Sequence, residues 1–457
     1  MPRGYAGDDM DMHTKPMIAS DGEGQENLVP ISRPKGHNLR WGIVAILTIL
    51  MLTNYLDRGN LAVAAPLIMR DLHISNTMMG VILSAFFWPY ALMSLPVGWA
   101  TDRFGAKVLM AFAAGAWSIV AILTGFAKSV QTFIFLRLAL GVTEAPLFPA
   151  SLKATDAWFP DHEKAAASSI YLSASQFGLA IVPPLSTFLM MEYGWPGMFM
   201  IMGALGAIGL LGWLVLYHDP KDHPWLSKQE LAYIRAGRLH SANEAKQGSE
   251  PVVASPWLSL FRYRTTWVML ICAFSFQYVL WFYISWLPTY LQKGQGITIG
   301  RAGILASIPY IAGGIAVLLG GRLSDMLVRR GYHPFTARRT MMAISAVLTG
   351  LAMFGTAYCT TPTTAIVMLT AGMFAYSLST ANYGTLAAEA VTTGRMVASL
   401  AGIQNFGGFL GAACAPLVTG IVVDRLGGFF VALVLTGCLA MFSAVMYALV
   451  LRKQLPV

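Results

Sequence analysis

Twelve runs of about 20 apolar residues, separated by short polar turns, constrain this chain more than anything else in it. They lie near 41–68, 76–100, 107–126, 130–150, 164–188, 196–217, 264–292, 300–323, 337–357, 362–384, 394–420 and 427–451. A helix rising 1.5 Å per residue needs about 20 such residues to cross a bilayer. One long polar interruption, roughly 218–263, divides the runs six plus six. The expected fold is therefore an all-α membrane protein with twelve transmembrane helices in two six-helix halves, 39–217 and 264–452, joined by a linker over 218–263.

The composition agrees. Of the 457 residues, 56% are hydrophobic and 12% charged, where a soluble domain carries about 25% charged residues. In a soluble chain the net charge of +9 would point to nucleic acid, but here the positive-inside rule accounts for it. With the N-terminus placed inside, the tail, the even-numbered loops and the C-terminus hold 24 of the 31 Lys and Arg residues. The opposite loops hold five: Arg70, Lys128, Lys293, Arg301 and Arg425. Both termini are thus expected in the cytoplasm. Residues 1–38 are polar and lack an apolar signal segment, so they read as a disordered cytoplasmic tail. The four cysteines, Cys272, Cys359, Cys414 and Cys438, show no metal-binding or disulfide spacing. In the linker, Ser227-x-x-Glu230 is a capping-box pattern ahead of Leu231 and Ile234, which predicts a short amphipathic helix on the membrane surface.

The halves repeat. Gly98-Trp99-Ala100-Thr101-Asp102-Arg103-Phe104-Gly105-Ala106-Lys107 follows span two, and Gly321-Arg322-Leu323-Ser324-Asp325, with Arg329 and Arg330 beyond, follows span eight. Both place Gly-x-x-x-Asp at a turn followed by basic residues, and the two copies stand close to half the chain apart. Asp102, Arg103 and Asp325 are expected to make helix-end contacts that latch one conformation. Two related halves imply a binding site at their interface near the midplane.

Four charges interrupt the apolar spans: Asp57 and Arg58 in span one, Arg137 and Glu144 in span four. A central charge costs roughly 2.5–3.5 kcal/mol on insertion scales, so charges held there usually serve an ion path, a proton relay or a ligand. Their formal sum is zero, and a neutral cluster attracts an anion weakly. Protonation of Asp57 and Glu144 leaves two arginines uncompensated, and a carboxylate supplies the missing charge through a bidentate fork. Proton and anion binding then favour each other. Adjacent Asp57 and Arg58 project about 100° apart. The reading pairs Asp57 with Arg137 and leaves Arg58 for the substrate. Permanent ion pairs that fix helix register are the structural alternative, and Arg137 suits it best.

The loop motif G-x-x-x-D-R-x-G-x-K resembles the signature of the major facilitator superfamily. Tyr55-Leu56-Asp57-Arg58-Gly59-Asn60-Leu61, with Arg137 and Gly141-x-x-Glu144-Ala145-Pro146, resembles the anion:cation symporter family, and within it the bacterial sugar-acid branch of D-galactonate, hexuronate and glucarate transporters. That resemblance implies a monomer in the bacterial inner membrane. It would import a sugar acid anion (a hexonate, hexuronate or aldarate) by proton symport, with protons as coupling ion, no cofactor and no nucleic-acid partner. It carries over Tyr55, Asn60, Tyr90, Tyr383 and Asn405 as substrate-binding residues, with Ser175 or Gln176 at one further position. Uptake of an aromatic acid or tartrate, and export by antiport, are the competing readings. A membrane enzyme finds no HExxH, G-x-S-x-G or paired Cys/His set.

Overall fold

A computed structural model describes residues 16–21, 25–30, 38–247, 257–391, 396–451 and 454–455. Most of the tail expected to be disordered lies outside the described residues. Within it, Pro16–Asp21 and Gln25–Pro30 pair as two antiparallel strands, β1 and β2, a departure from the expectation that the extended preference of Ile18 and Val29 accommodates.

The first half contains α1 (Leu39–Asp71), α2 (Asn76–Ala85), α3 (Phe87–Thr124), α4 (Val130–Glu144), α5 (Leu147–Trp158) and α6 (Asp161–Leu216). Helix α7 (Lys228–Gln247) lies in the linker. The second half contains α8 (Arg264–Thr289), α9 (Ile299–Arg329), α10 (Pro334–Ala357), α11 (Pro362–Leu378), α12 (Thr380–Glu389), α13 (Val397–Arg425) and α14 (Phe429–Val445). Among the described residues, eleven helical stretches are long and apolar enough to cross a membrane. One of them, α6, has 56 residues, about 84 Å of helix, which is two bilayer crossings. Gly194, at φ +69°, breaks it between them. The twelve crossings are then α1, α2 with the start of α3, the rest of α3, α4 with α5, the two parts of α6, α8, α9, α10, α11 with α12, α13 and α14.

Glycine is needed at the breaks because a positive φ strains any side chain with a β-carbon. Gly105 of the loop motif, at φ +80°, separates crossings two and three. The motif itself lies in the last turns of a helix rather than in a loop. In the second half the matching turn comes at Gly331 (φ +92°), after α9.

Large apolar side chains such as Leu92, Phe112 and Phe135 are mostly exposed on the rim (72%, 70% and 69%). Patches of this size on a soluble protein would drive association, and here they meet lipid. Between the halves, α2 packs on α13 and α6 on α9. The two seams are related by the sequence repeat. A β-carbon on Gly80 would lie 2.6 Å from the Pro416 carbonyl oxygen, and one on Gly303 would lie 3.0 Å from the Pro183 carbonyl oxygen. Along the chain Gly80 stands to Gly303 as Gly98 stands to Gly321, so the pair shares the offset of the loop motifs. Each glycine lets a helix of one half touch the proline bend of the other.

Helix α7 docks on the first half. Its Ser227 hydroxyl accepts from the Glu230 backbone N–H at 3.1 Å, half of a capping box. Glu230 does not complete the box. Its buried carboxylate accepts from the backbone N–H groups of Leu39 (3.2 Å) and Arg40 (3.2 Å) and from the Arg40 guanidinium (3.0 Å). It thereby caps α1, whose first N–H groups have no partner within the helix. Arg40 also pairs with Glu163 at 2.9 Å, and Tyr233 donates to Glu163 at 3.0 Å. Gly237 fits against Pro160, where a side chain would collide.

Candidate functional site

The four intramembrane charges meet in the first half, on α1 and α4. Arg58 Nε donates to Glu144 Oε2 at 2.8 Å, with side chains 7% and 0% exposed. The guanidinium carbon sits 5.1 Å from the Tyr55 ring centre, 5.1 Å from Phe86 and 4.9 Å from Tyr90. Three rings thus surround a cation that has one ionic partner, an arrangement favourable to Arg through cation–π attraction. Asn54, one turn before Arg58, lies beside the Glu144 carboxyl.

Asp57 does not pair with Arg137 as expected. Arg137 donates to the Asp57 backbone carbonyl (3.3 Å) and to the Asn60 side-chain oxygen (3.4 Å). Asn60 in turn donates to Asp57 Oδ1 at 3.4 Å, and no hydrogen bond reaches Asp57 Oδ2 among the described residues. The reason is the lean of helical side chains toward their own N-terminus. Helices α1 and α4 run in opposite directions, so Arg58 leans toward the level of Glu144. Arg137 leans the other way, toward the far side of Asp57, and the short Asp57 side chain leans away from it. Arg137 therefore ties α1 to α4, the structural part foreseen for it, while Arg58 and Glu144 form the ion pair.

The remaining candidates divide between the halves. Tyr55 packs its β-carbon where a side chain on Gly178 would stand, and Ser175, one turn earlier on α6, faces the Tyr55 hydroxyl. Ser175 Oγ also donates to the Leu172 carbonyl at 2.7 Å. Gln176 is half-buried on the neighbouring face. Tyr90 stacks on Phe86 (5.4 Å) and touches Phe409 of the second half (5.3 Å). Gly408 is next in sequence to Phe409, and a β-carbon on it would meet the Tyr383 hydroxyl at 3.1 Å, so Tyr383 packs against α13 within the second half. Its ring stacks on Phe276 (4.7 Å), which also stacks on Tyr376 (4.3 Å). Asn405, one turn from Phe409 on the same face of α13, is exposed. Its neighbour Gln404 is buried and donates to the Tyr383 carbonyl at 2.9 Å.

Reading single residues missed Phe86, Phe87 and Ser285, which with Trp281, Arg58 and Arg137 line a small cavity between the halves; Trp281 of span seven stands out in the sequence as one of three aromatic residues, with Tyr278 and Tyr283, able to form a wall. Its free volume is about 10 Å³, on the order of one water molecule, so the site is collapsed around Arg58. Phe87 meets Trp281 edge-on at 4.4 Å across it. Only an aromatic signal could have indicated the two phenylalanines, aromatics being common in membrane helices, and no sequence signal marks Ser285.

Of the loop residues, Asp102 makes a contact between helix ends and Arg103 a contact within its own turn. Asp102 pairs with Lys153 at 3.3 Å, within its own half. Arg103 lies over the Trp99 (5.2 Å) and Phe104 (5.8 Å) rings, and Asp325 is exposed. Among the described residues no ion pair of these three joins the halves, because the halves touch from the Tyr90–Phe409 level toward the α1–α2 loop, the opposite end.

Residues 47–396 match the sequence model of the Major Facilitator Superfamily. The D-galactonate transporter of Escherichia coli O6:H1 (strain CFT073) is 32% identical over 92% of this chain and 97% of its own length. The protein called "Probable galactarate/D-glucarate transporter" in Escherichia coli K12 is 33% identical over 92% of this chain and 96% of its own. Among solved structures, a bacterial homolog of the human lysosomal transporter Spinster, inward-facing and occupied, superposes with a TM-score of 0.72 at 17% identity, covering 90% of this chain and 97% of the other. The D-xylose–proton symporter superposes with a TM-score of 0.71 at 15% identity, covering 91% and 98%.

Proposed function

The chain belongs to the major facilitator superfamily, a multi-pass membrane transporter and not an enzyme, and on that footing we propose that it imports a sugar acid anion by proton symport through alternating access. The substrate class is a hexonate, hexuronate or aldarate such as galactonate or glucarate. Relatives named for galactonate and for galactarate and D-glucarate support that class. The protein acts as a monomer in the bacterial inner membrane, both termini cytoplasmic, with protons as coupling ion and no further cofactor.

The observation that carries the reading is the Arg58–Glu144 pair inside its aromatic cage. A buried cation with one carboxylate partner is occupied while that partner is ionised. A proton on Glu144 cancels the partner's charge. A substrate carboxylate then takes the vacated side of the guanidinium in bidentate geometry. Asp57, with one oxygen lacking a hydrogen bond, offers a second protonation position on the same helix. Tyr90 meets Phe409 of the second half, so closure of that half over a bound polyol acts on a ring already against Arg58. In this proposal Tyr55, Asn60, Ser175, Gln176 and Asn405 bind the substrate's hydroxyl groups.

The test is counterflow in liposomes against a panel of sugar acids, tartrate and aromatic acids, with and without a pH gradient. Gradient-stimulated accumulation of a sugar acid is expected. Accumulation indifferent to the gradient removes symport, and transport confined to tartrate or an aromatic acid replaces the substrate class.

A further inference from the structure

One carboxylate of the second half caps a helix of the first. Asp424, in the last turn of α13, accepts from the backbone N–H of Asn76 (3.2 Å), the Asn76 amide (2.7 Å) and the backbone N–H of Thr77 (2.6 Å). Asn76 is the first residue of α2. The first N–H groups of a helix have no partner within it and carry the positive end of its dipole. Ser75 satisfies one of them, the Met78 N–H, at 3.1 Å. Asp424 satisfies two more from across the seam. Lys293, at the end of the π-helical turn Tyr290–Gly294 that continues α8, adds a contact from its ammonium to the Asn76 side-chain oxygen at 3.3 Å.

The repeat makes the other seam an internal comparison. Met191 follows Pro183 at the interval by which Asp424 follows Pro416, and Gly300 precedes Gly303 at the interval by which Thr77 precedes Gly80. At the second seam Met191 packs over Gly300, its sulfur 3.3 Å from where a β-carbon would stand. So the two seams share glycine-on-proline packing, but only the α2–α13 seam carries a charged cap at this position.

We propose that Asp424 is the bolt of the gate on the α1–α2 loop face: a helix cap supplied by the opposite half, present only while that face is closed, which sets how often it opens. The inference rests on the alternating-access reading. Opening separates α13 from α2, and the Asn76 and Thr77 N–H groups lose their acceptor. Removing the carboxylate in advance cancels that penalty, because the closed state no longer holds the cap either.

The experiment uses a thiol introduced by Thr187→Cys, with the four native cysteines replaced by alanine. Thr187 is buried at the other seam, against Gly303, so it reports separation of the halves rather than fraying of α2. Labelling by a membrane-impermeant maleimide from the α1–α2 loop face is followed in liposomes without substrate. Asp424→Ala is expected to raise the rate roughly five- to tenfold, the usual effect of losing a helix cap, and Asp424→Asn to raise it less. Ser75→Ala, which removes the local cap only, is expected to leave the rate unchanged. Equal rates for wild type and both Asp424 variants overturn the proposal, as does an equal rise with Ser75→Ala. Failure of sugar acid uptake in every liposome preparation would overturn the transport reading while leaving this measurement intact.

Discussion

Glu144→Gln isolates the competition at the centre of the site. In the wild type the substrate carboxylate must displace Glu144 from Arg58, whose Nε it holds at 2.8 Å with neither side chain more than 7% exposed. A hydrogen bond between ionised groups contributes about 1.5–3 kcal/mol. Glutamine keeps the shape and a neutral acceptor but loses the charge, so the anion meets a weaker competitor. At alkaline pH, where Glu144 is ionised, anion affinity should therefore rise roughly 10- to 100-fold in the variant. The sign with pH follows. Wild-type affinity strengthens as pH falls, because the proton taken by Glu144 removes the competitor for Arg58, while the variant begins in that state and responds less. Titration calorimetry with galactonate over a pH series in detergent reads the affinity, and proteoliposomes read the consequence: counterflow retained, gradient-driven accumulation lost. Weaker binding than wild type at alkaline pH, or an unchanged pH slope, would refute the argument.

Three further outcomes are expected. Asp57→Asn should abolish uptake driven by a pH gradient while substrate exchange continues, since asparagine keeps the place next to Asn60 but takes no proton; full gradient-driven uptake would exclude Asp57 from coupling. Arg58→Lys should weaken anion binding at least about tenfold, because an ammonium offers neither the planar fork nor the same fit among three rings, and an affinity within twofold of wild type would move the anion contact elsewhere. Glu230→Ala leaves Arg40 with Glu163 as its one carboxylate partner and uncaps α1; removing one partner of a buried pair costs about 3–5 kcal/mol, so the melting temperature in detergent should drop by several degrees, and an unchanged one would contradict the buried docking.

The twelve crossings were legible because length and apolarity decide them, and Gly105 was already part of a readable motif. Which charge meets which was not. The pairing of Arg58 with Glu144 depends on the lean of two antiparallel helices, and the adjacency of Asp57 and Arg58 in sequence says nothing of it. The capping box at Ser227 and Glu230 shows the same limit. Local pattern located the helix start correctly, but the glutamate turned to a helix 191 residues earlier in the chain. Asp424 is the mirror case, a terminal acid without a motif whose role arises from a contact 348 residues away. Tertiary satisfaction of helix ends is invisible to patterns that look four residues ahead.

The mooring of α7 through Glu230 makes it a lever arm rather than slack rope between the bundles. Its 20 residues extend about 30 Å, so a rocking of the first bundle by some 10° would sweep its tip through roughly 5 Å. A spectroscopic label far along that helix, paired with one on the opposite bundle, would therefore magnify a stroke that is hard to see at the membrane centre.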